Sequence, residues 1–350
     1  MRRFICVFGA LVLISACGAE RRFAGRKGWA DVHVHVFGRP DTIPGSVQDL
    51  VRVMDEDGIR VAVVMPPPQN VPRFPYSVFL GAIQKYPDRF RFLGGGGSLN
   101  PLIQHAAGLG FVPAQMRDRF ERQAQQILSD GAIGFGEMTA LHFAYQPGQP
   151  YQRVPADHPL FLLLADIAAE HDVVIDFHME LVARRIETLP GKLASQANNP
   201  KSVEPNLAEF ERLLAHNHGA KIVWAHVGTD YIGQRTPAIT AELLARHSNL
   251  YLSILPFPES REGFHETFIV DGHVNREWLH VMEAYPERFV IGCDQFFVGG
   301  VGTRNPSAIF AKTSPERRAE ALALLTDLPD TLARQIGFEN AARLYKLPSQ

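Results

Sequence analysis

Six side chains of metal-binding type stand out for their chemistry: His33, His35, Glu137, His178, His226 and Asp294. Neutral imidazoles and carboxylates suit a divalent ion such as zinc, and they can leave a coordination position open for water. A divalent ion lowers the pKa of bound water to about 7, which supplies hydroxide at neutral pH. Asp31-Val32-His33-Val34-His35 opens the set. On a regular strand alternate side chains share a face, so Asp31, His33 and His35 are expected on one side and Val32 and Val34 on the other. Taken alone, a His-x-His pair is as consistent with a polar strand face as with a metal clamp.

The elements that must position these residues change that balance. Strands are expected at Ala30–Val36, Arg60–Met65, Phe90–Leu93, Ala132–Met138, Val173–His178, Lys221–His226, Leu250–Leu255 and Phe289–Cys293. The run Arg60 to Met65, bounded by Pro66-Pro67-Pro68, has the continuous apolar character of a strand buried on both faces. Helices are expected between them, at Val47–Glu56, Tyr76–Tyr86, Pro113–Ser129, Pro159–Glu170, Leu207–His216, Pro237–Arg246 and Arg276–Tyr285. Pro315–Leu325, Leu328–Ile336 and Asn340–Tyr345 close the chain as helices. Alternation of this kind predicts a (β/α)8 TIM barrel over residues 29–350. The six residues then fall at C-terminal strand ends, the face where barrel enzymes assemble their sites. Tyr86-Pro87-Asp88-Arg89-Phe90 recurs as Tyr285-Pro286-Glu287-Arg288-Phe289, which reads as shared helix-to-strand turn chemistry and not as a repeat array.

Asp31-x-His33-x-His35, His178, His226-x-Gly228 and Asp294, in this order, resemble the amidohydrolase superfamily of metal-dependent barrels. The tail Glu339-Asn340-Ala341-Ala342-Arg343-Leu344-Tyr345 is similar to the closing helix of its amidohydrolase-related branch. The resemblance implies that His33, His35 and Asp294 hold a first metal, with Asp294 also general base and proton shuttle. It implies that His178 and His226 hold a second metal if there is one. In the one-metal branch His178 binds the single ion and His226 becomes an acid/base or polarising residue. Glu137 takes the place where several members carry a bridging carboxylated lysine or glutamate, so one or two ions per chain remain open. Asp31 and Asp176, two residues before ligands, could accept hydrogen bonds within the barrel or simply fill a polar layer.

The first residues read as a targeting segment. Arg2 and Arg3 precede the short apolar stretch Ile5 to Ile14. Ile14-Ser15-Ala16-Cys17 resembles the lipobox of bacterial lipoproteins, which implies a signal peptide over residues 1–16 and lipidation of Cys17. Residues 17–28 would be a basic tether, and Gly18 offers no retention Asp, so an outer-membrane anchor facing the periplasm is expected. Of the 3 cysteines Cys6 would leave with the leader and Cys17 would be acylated. Cys293 then remains as a free thiol with no disulfide partner, packed as a small apolar residue.

The chain has 350 residues, 46% of them hydrophobic and 21% charged, enough for a large core. Its net charge of -2 and the lack of a basic patch disfavour a nucleic-acid partner. The leading expectation is a metal-dependent hydrolase acting on an ester, lactone or amide of a small molecule. The closest rival is a metal-dependent decarboxylase of an aromatic or unsaturated acid, with one metal and no role for Glu137. A rival of another class is a non-enzymatic metal-binding or ligand-binding lipoprotein; a metal-barrel nuclease would need a basic groove. The loops Glu180 to Pro205 and Pro256 to Val274 would set the substrate, and Arg184, Arg185, His142, Tyr231, Arg235 and Arg304 could meet it. Oligomeric state is not legible.

Overall fold

A computed structural model describes residues 28–256, 267–299 and 307–348. The leader, Cys17, most of the tether and Arg304 lie outside the described residues. The strands, in chain order, are β1 (Trp29–Gly38), β2 (Ile59–Met65), β3 (Phe90–Phe92), β4 (Gly94–Gly95), β5 (Gly134–His142) and β6 (Gln152–Arg153). They continue with β7 (Val174–Met179), β8 (Lys221–Trp224), β9 (Leu250–Ile254), β10 (Ile269–Val270), β11 (His273–Val274), β12 (Phe289–Ile291) and β13 (Gln295–Gly299).

Among the described residues hydrogen-bonded pairing gives two large sheets, β13-β1-β2-β3 and β12-β9-β8-β7-β5-β4 with β6 beside β5, and a separate β10-β11 pair. The two large sheets are joined through shared strands. β3 and β4 are two pieces of one strand parted at Leu93, one paired with β2 and the other with β5. β12 and β13 are likewise pieces of one strand parted at residues 292–294, one paired with β9 and the other with β1. The parallel pairings therefore run round the ring, with helices on the connections, as in a (β/α)8 barrel.

One apolar cluster fills the barrel interior, with Ala30, Val32, Val61, Val63, Met65, Val174, Val223 and Val290 from five strands. Phe338, Leu344 and Tyr345 of the closing helical segment plug its lower end. A second cluster, including Trp29, Val34, Phe135, Phe177 and Trp224, packs the strands against the helices. These two memberships correct the expected alternation of β1. Val32 joins the inner cluster and Val34 the outer one, because the pairing with β2 slips between Asp31 and Val34. A bulge of this kind re-aims side chains. It separates Asp31 from the two histidines and turns His33 and His35 into the mouth.

Other boundaries also move. β5 runs on to His142, so Glu137 sits within a strand. β8 stops at Trp224, and His226 lies in a short turn with left-handed φ (57°), not at a strand end. The helix Leu99–Leu109 is an addition to the expected elements, and Pro315 lies inside one longer helix, Ser307–Asp327. No helix among the described residues is long and apolar enough to cross a membrane.

Candidate metal centre

β1 delivers two imidazoles whose remaining nitrogens are already committed. His35 Nδ1 lies 3.1 Å from the Met65 carbonyl oxygen, which can only accept, so Nδ1 carries the proton and Nε2 is bare. His33 Nδ1 lies 3.3 Å from Asp176 Oδ2, with the same consequence for its Nε2. The two Nε2 atoms stand 3.0 Å apart. Gly292 makes this seating sterically feasible: a Cβ there would come within 2.9 Å of His33 Cβ and collide with Ser253 Oγ.

Glu137 stands between two groups of donors. Its Oε2 is 3.2 Å from His35 Nε2 and 3.5 Å from His33 Nε2. Its Oε1 lies 2.7 Å from His178 Nδ1 and 3.5 Å from His226 Nε2. Asp294 Oδ1 completes the first group at 3.3 Å from His35 Nε2. His33, His35 and Glu137 form one compact ligand-type cluster, Glu137, His178 and His226 another, and His33, His226 and Asp294 a third. All six residues singled out in the sequence are thus brought together.

Bare imidazole nitrogens facing one another, with carboxylate oxygens beside them, repel unless positive charge lies among them. This donor set fits a divalent cation. The ionisation of the groups shows the same demand. Burial opposes charging His33, yet the charges of Asp176 and Glu137 outweigh it and hold the ring well above the usual histidine range. Burial is likewise overcome at His178, where the Glu137 carboxylate at 2.7 Å and the nearby Glu180 carboxylate push it up to about 10. Glu137 is held well below the usual carboxylate range, against burial, by the charge of His33 and hydrogen bonds from His178 and His226.

Neighbouring residues brace the set. Asp176 orients His33, as one sequence reading had it. Asp31 ties β1 to the start of β13 and the residues before it: its Oδ1 accepts from the Cys293 amide at 2.9 Å and its Oδ2 from Gln295 Nε2. Cys293 is buried, as expected for a small apolar residue. Trp224 Nε1 donates to the Met179 carbonyl at 2.8 Å, fixing the turn that carries His226 against the end of β7. Two further residues escaped the sequence reading. Arg317, from the helix after β13, donates to Asp294 Oδ2 at 2.9 Å. Glu180, two positions beyond His178, is fully buried with Oε1 3.7 Å from His178 Nε2. Burial pushes Glu180 up to about 7. Only a charged helix residue and a carboxylate beyond a strand end could have hinted at either.

Above the cluster lies a cavity of about 450 Å³, the size of a small-molecule site. Glu137, His178, His226 and Asp294 reach its floor, and Tyr145, Tyr231 and Phe296 supply aromatic wall. The Tyr145 and Tyr231 rings stack with centroids 4.9 Å apart, and Phe296 lies 4.8 Å from the His35 ring. Of the loop residues expected to meet substrate, His142 and Tyr231 line this cavity. Arg184 and Arg185 are exposed, and Arg235 is buried against Trp278, so none of these three is among the lining residues.

No protein-family model matches the sequence, and no curated protein matches it. Solved structures do match. A triple mutant of organophosphorus hydrolase from Deinococcus radiodurans aligns over 92% of this chain and 94% of its own, with a TM-score of 0.56 at 17% identity. A structure described as organophosphate hydrolysis activity engineered from a weak promiscuous lactonase template aligns over 92% and 97%, with a TM-score of 0.55 at 16% identity. At such identities the likeness is one of architecture: this chain has the (β/α)8 barrel of those hydrolases.

Proposed function

We propose that this protein is a metal-dependent hydrolase of the amidohydrolase type, acting on an ester, lactone or amide of a small molecule. One observation carries the reading. Glu137 is 3% exposed and turns one oxygen to His33 and His35 and the other to His178 and His226, the disposition of a carboxylate shared by two cations. A single-metal decarboxylase gives Glu137 no such duty. His33, His35 and Asp294 would hold one ion, His178 and His226 the other, with zinc the expected metal.

The ions would polarise a carbonyl and lower the pKa of water. The chain's own residues do the rest. Asp294, its side chain 14% exposed at the cavity floor, is placed to take a proton from the attacking water through Oδ1. Arg317 holds Oδ2 and so fixes which oxygen faces the cluster. His226, which lines the cavity with Nε2 3.5 Å from Glu137 Oε1, is placed to serve as the other ligand of the second ion. The stacked tyrosines give a flat, partly apolar wall against which a small ring could lie. The lipobox-like leader further supports a lipid anchor at Cys17 and an envelope location, which labelling with a radioactive fatty acid would reveal.

Metal analysis after zinc restoration, together with a panel of esters, lactones and amides, tests the reading. About two ions per chain and turnover in the panel are expected. One ion per chain, with Glu137→Ala fully active, would overturn it in favour of a decarboxylase.

A further inference from the structure

The buried carboxylate of Glu180 stands next to the cluster without a role in it. It is wholly removed from solvent, and neither oxygen has a hydrogen-bond partner among the described residues. Leaving a buried carboxylate unpaired is costly, so such a group marks an interaction that another state of the site completes. Its position does not depend on its side chain. The Glu180 amide donates to the Leu141 carbonyl at 3.1 Å, and its carbonyl accepts from Asn206 Nδ2 at 2.7 Å.

The neighbouring imidazoles show what completes it. His33 has Asp176 behind its Nδ1, and His35 has the Met65 carbonyl behind its Nδ1. In both rings the far nitrogen is provided with an acceptor, and the near nitrogen faces the cluster. His178 is turned the other way: Nδ1 faces Glu137, and Nε2, buried and unpartnered among the described residues, faces Glu180 Oε1 at 3.7 Å. A ring that ligates through Nδ1 must carry its proton on Nε2. That proton has one carboxylate ahead of it.

We infer that Glu180 is a positioning residue for the ion held by His178: it accepts a hydrogen bond from Nε2–H, fixes the ring with Nδ1 toward Glu137, and raises the basicity of the ligating nitrogen. This rests on the proposed metal reading of His178. Acceptors behind ligating histidines typically contribute 10–100-fold to metal affinity or activity.

Zinc affinities measured by chelator competition on the full chain test this, with cobalt absorption as an independent view of the ligand field. Glu180→Gln should weaken one ion by about 10–100-fold and leave the other at its wild-type affinity. His178→Ala should lose the same ion, and Glu180→Asp should recover part of the affinity. If His178→Ala loses an ion that Glu180→Gln keeps at wild-type strength, the inference is overturned alone. Equal weakening of both ions by Glu180→Gln also overturns it, since that is the mark of a general scaffold residue. If His178→Ala changes no metal binding, the proposed function falls with it. Should Glu180→Gln fail to fold, Glu180→Asp is read by the same criterion.

Discussion

His178 Nδ1 lies 2.7 Å from Glu137 Oε1, across two adjacent strands and well inside the barrel mouth. The contact removes Glu137 from the class of exposed rim carboxylates. Glu137→Gln keeps the shape but removes the negative charge shared by two cations. Metal content should fall from about two ions to one per chain, and hydrolysis by at least about 100-fold; elemental analysis beside steady-state rates checks both.

Arg317 controls the ionisation of Asp294. Burial would raise this carboxyl, yet the Arg317 guanidinium and then His226 hold it well below the usual carboxylate range. The folded value is depressed, so the carboxylate persists as pH falls. Arg317→Met should therefore move the acid limb of kcat/KM upward by about one unit or more. An unchanged limb would show that Arg317 does not tune the base.

His142 gives a pH signature in stability. Burial, then the charge of His178, pushes its ring from 6.5 down to about 4. Its folded value lies below its unfolded one, so the neutral ring favours the fold above about 6.5. That contribution is lost as pH falls from there toward about 4. Urea midpoints should drop across this window, and His142→Gln should flatten the drop.

Asp31 should matter more to folding than to ligation. Its carboxylate accepts from the His33 and Cys293 amides and from Gln295, all buried. Asp31→Ala leaves those donors unmatched and should cost about 3 kcal/mol, read from urea unfolding.

Gly228 holds the turn of His226. Its φ is 71°, and a Cβ would sit 2.8 Å from the Trp224 ring. Gly228→Ala should cost at least about 1–2 kcal/mol and lower activity more than Tm alone would suggest, because the displaced turn carries His226.

Much of this was readable from residue types and order. The period of strands and helices gave the barrel, and ligand-type residues at successive strand ends gave the cluster. What stayed hidden depended on geometry without a local signature. The β1 bulge breaks the alternation that Asp31-Val32-His33-Val34-His35 advertises, because pairing with β2 sets the face of each residue. The left-handed turn at His226 is dictated by packing on Trp224. Arg317 lies 23 residues beyond Asp294, a separation that no motif spacing links. Glu180 looks, in sequence, like the first residue of an insertion. The helix Leu99–Leu109 is masked by its four preceding glycines and by Pro101.

β1 starts with Trp29 in the helix-packed layer and rises to His35 at the mouth. Six steps of roughly 3.3 Å separate the two ends. The molecule therefore has poles: a stem where the chain enters and an open crown where chemistry would occur. Whatever is attached upstream of Trp29, whether a lipid, a bead or a fused domain, pulls on the stem. A tethered copy would present its crown outward, with its cavity free to meet solutes.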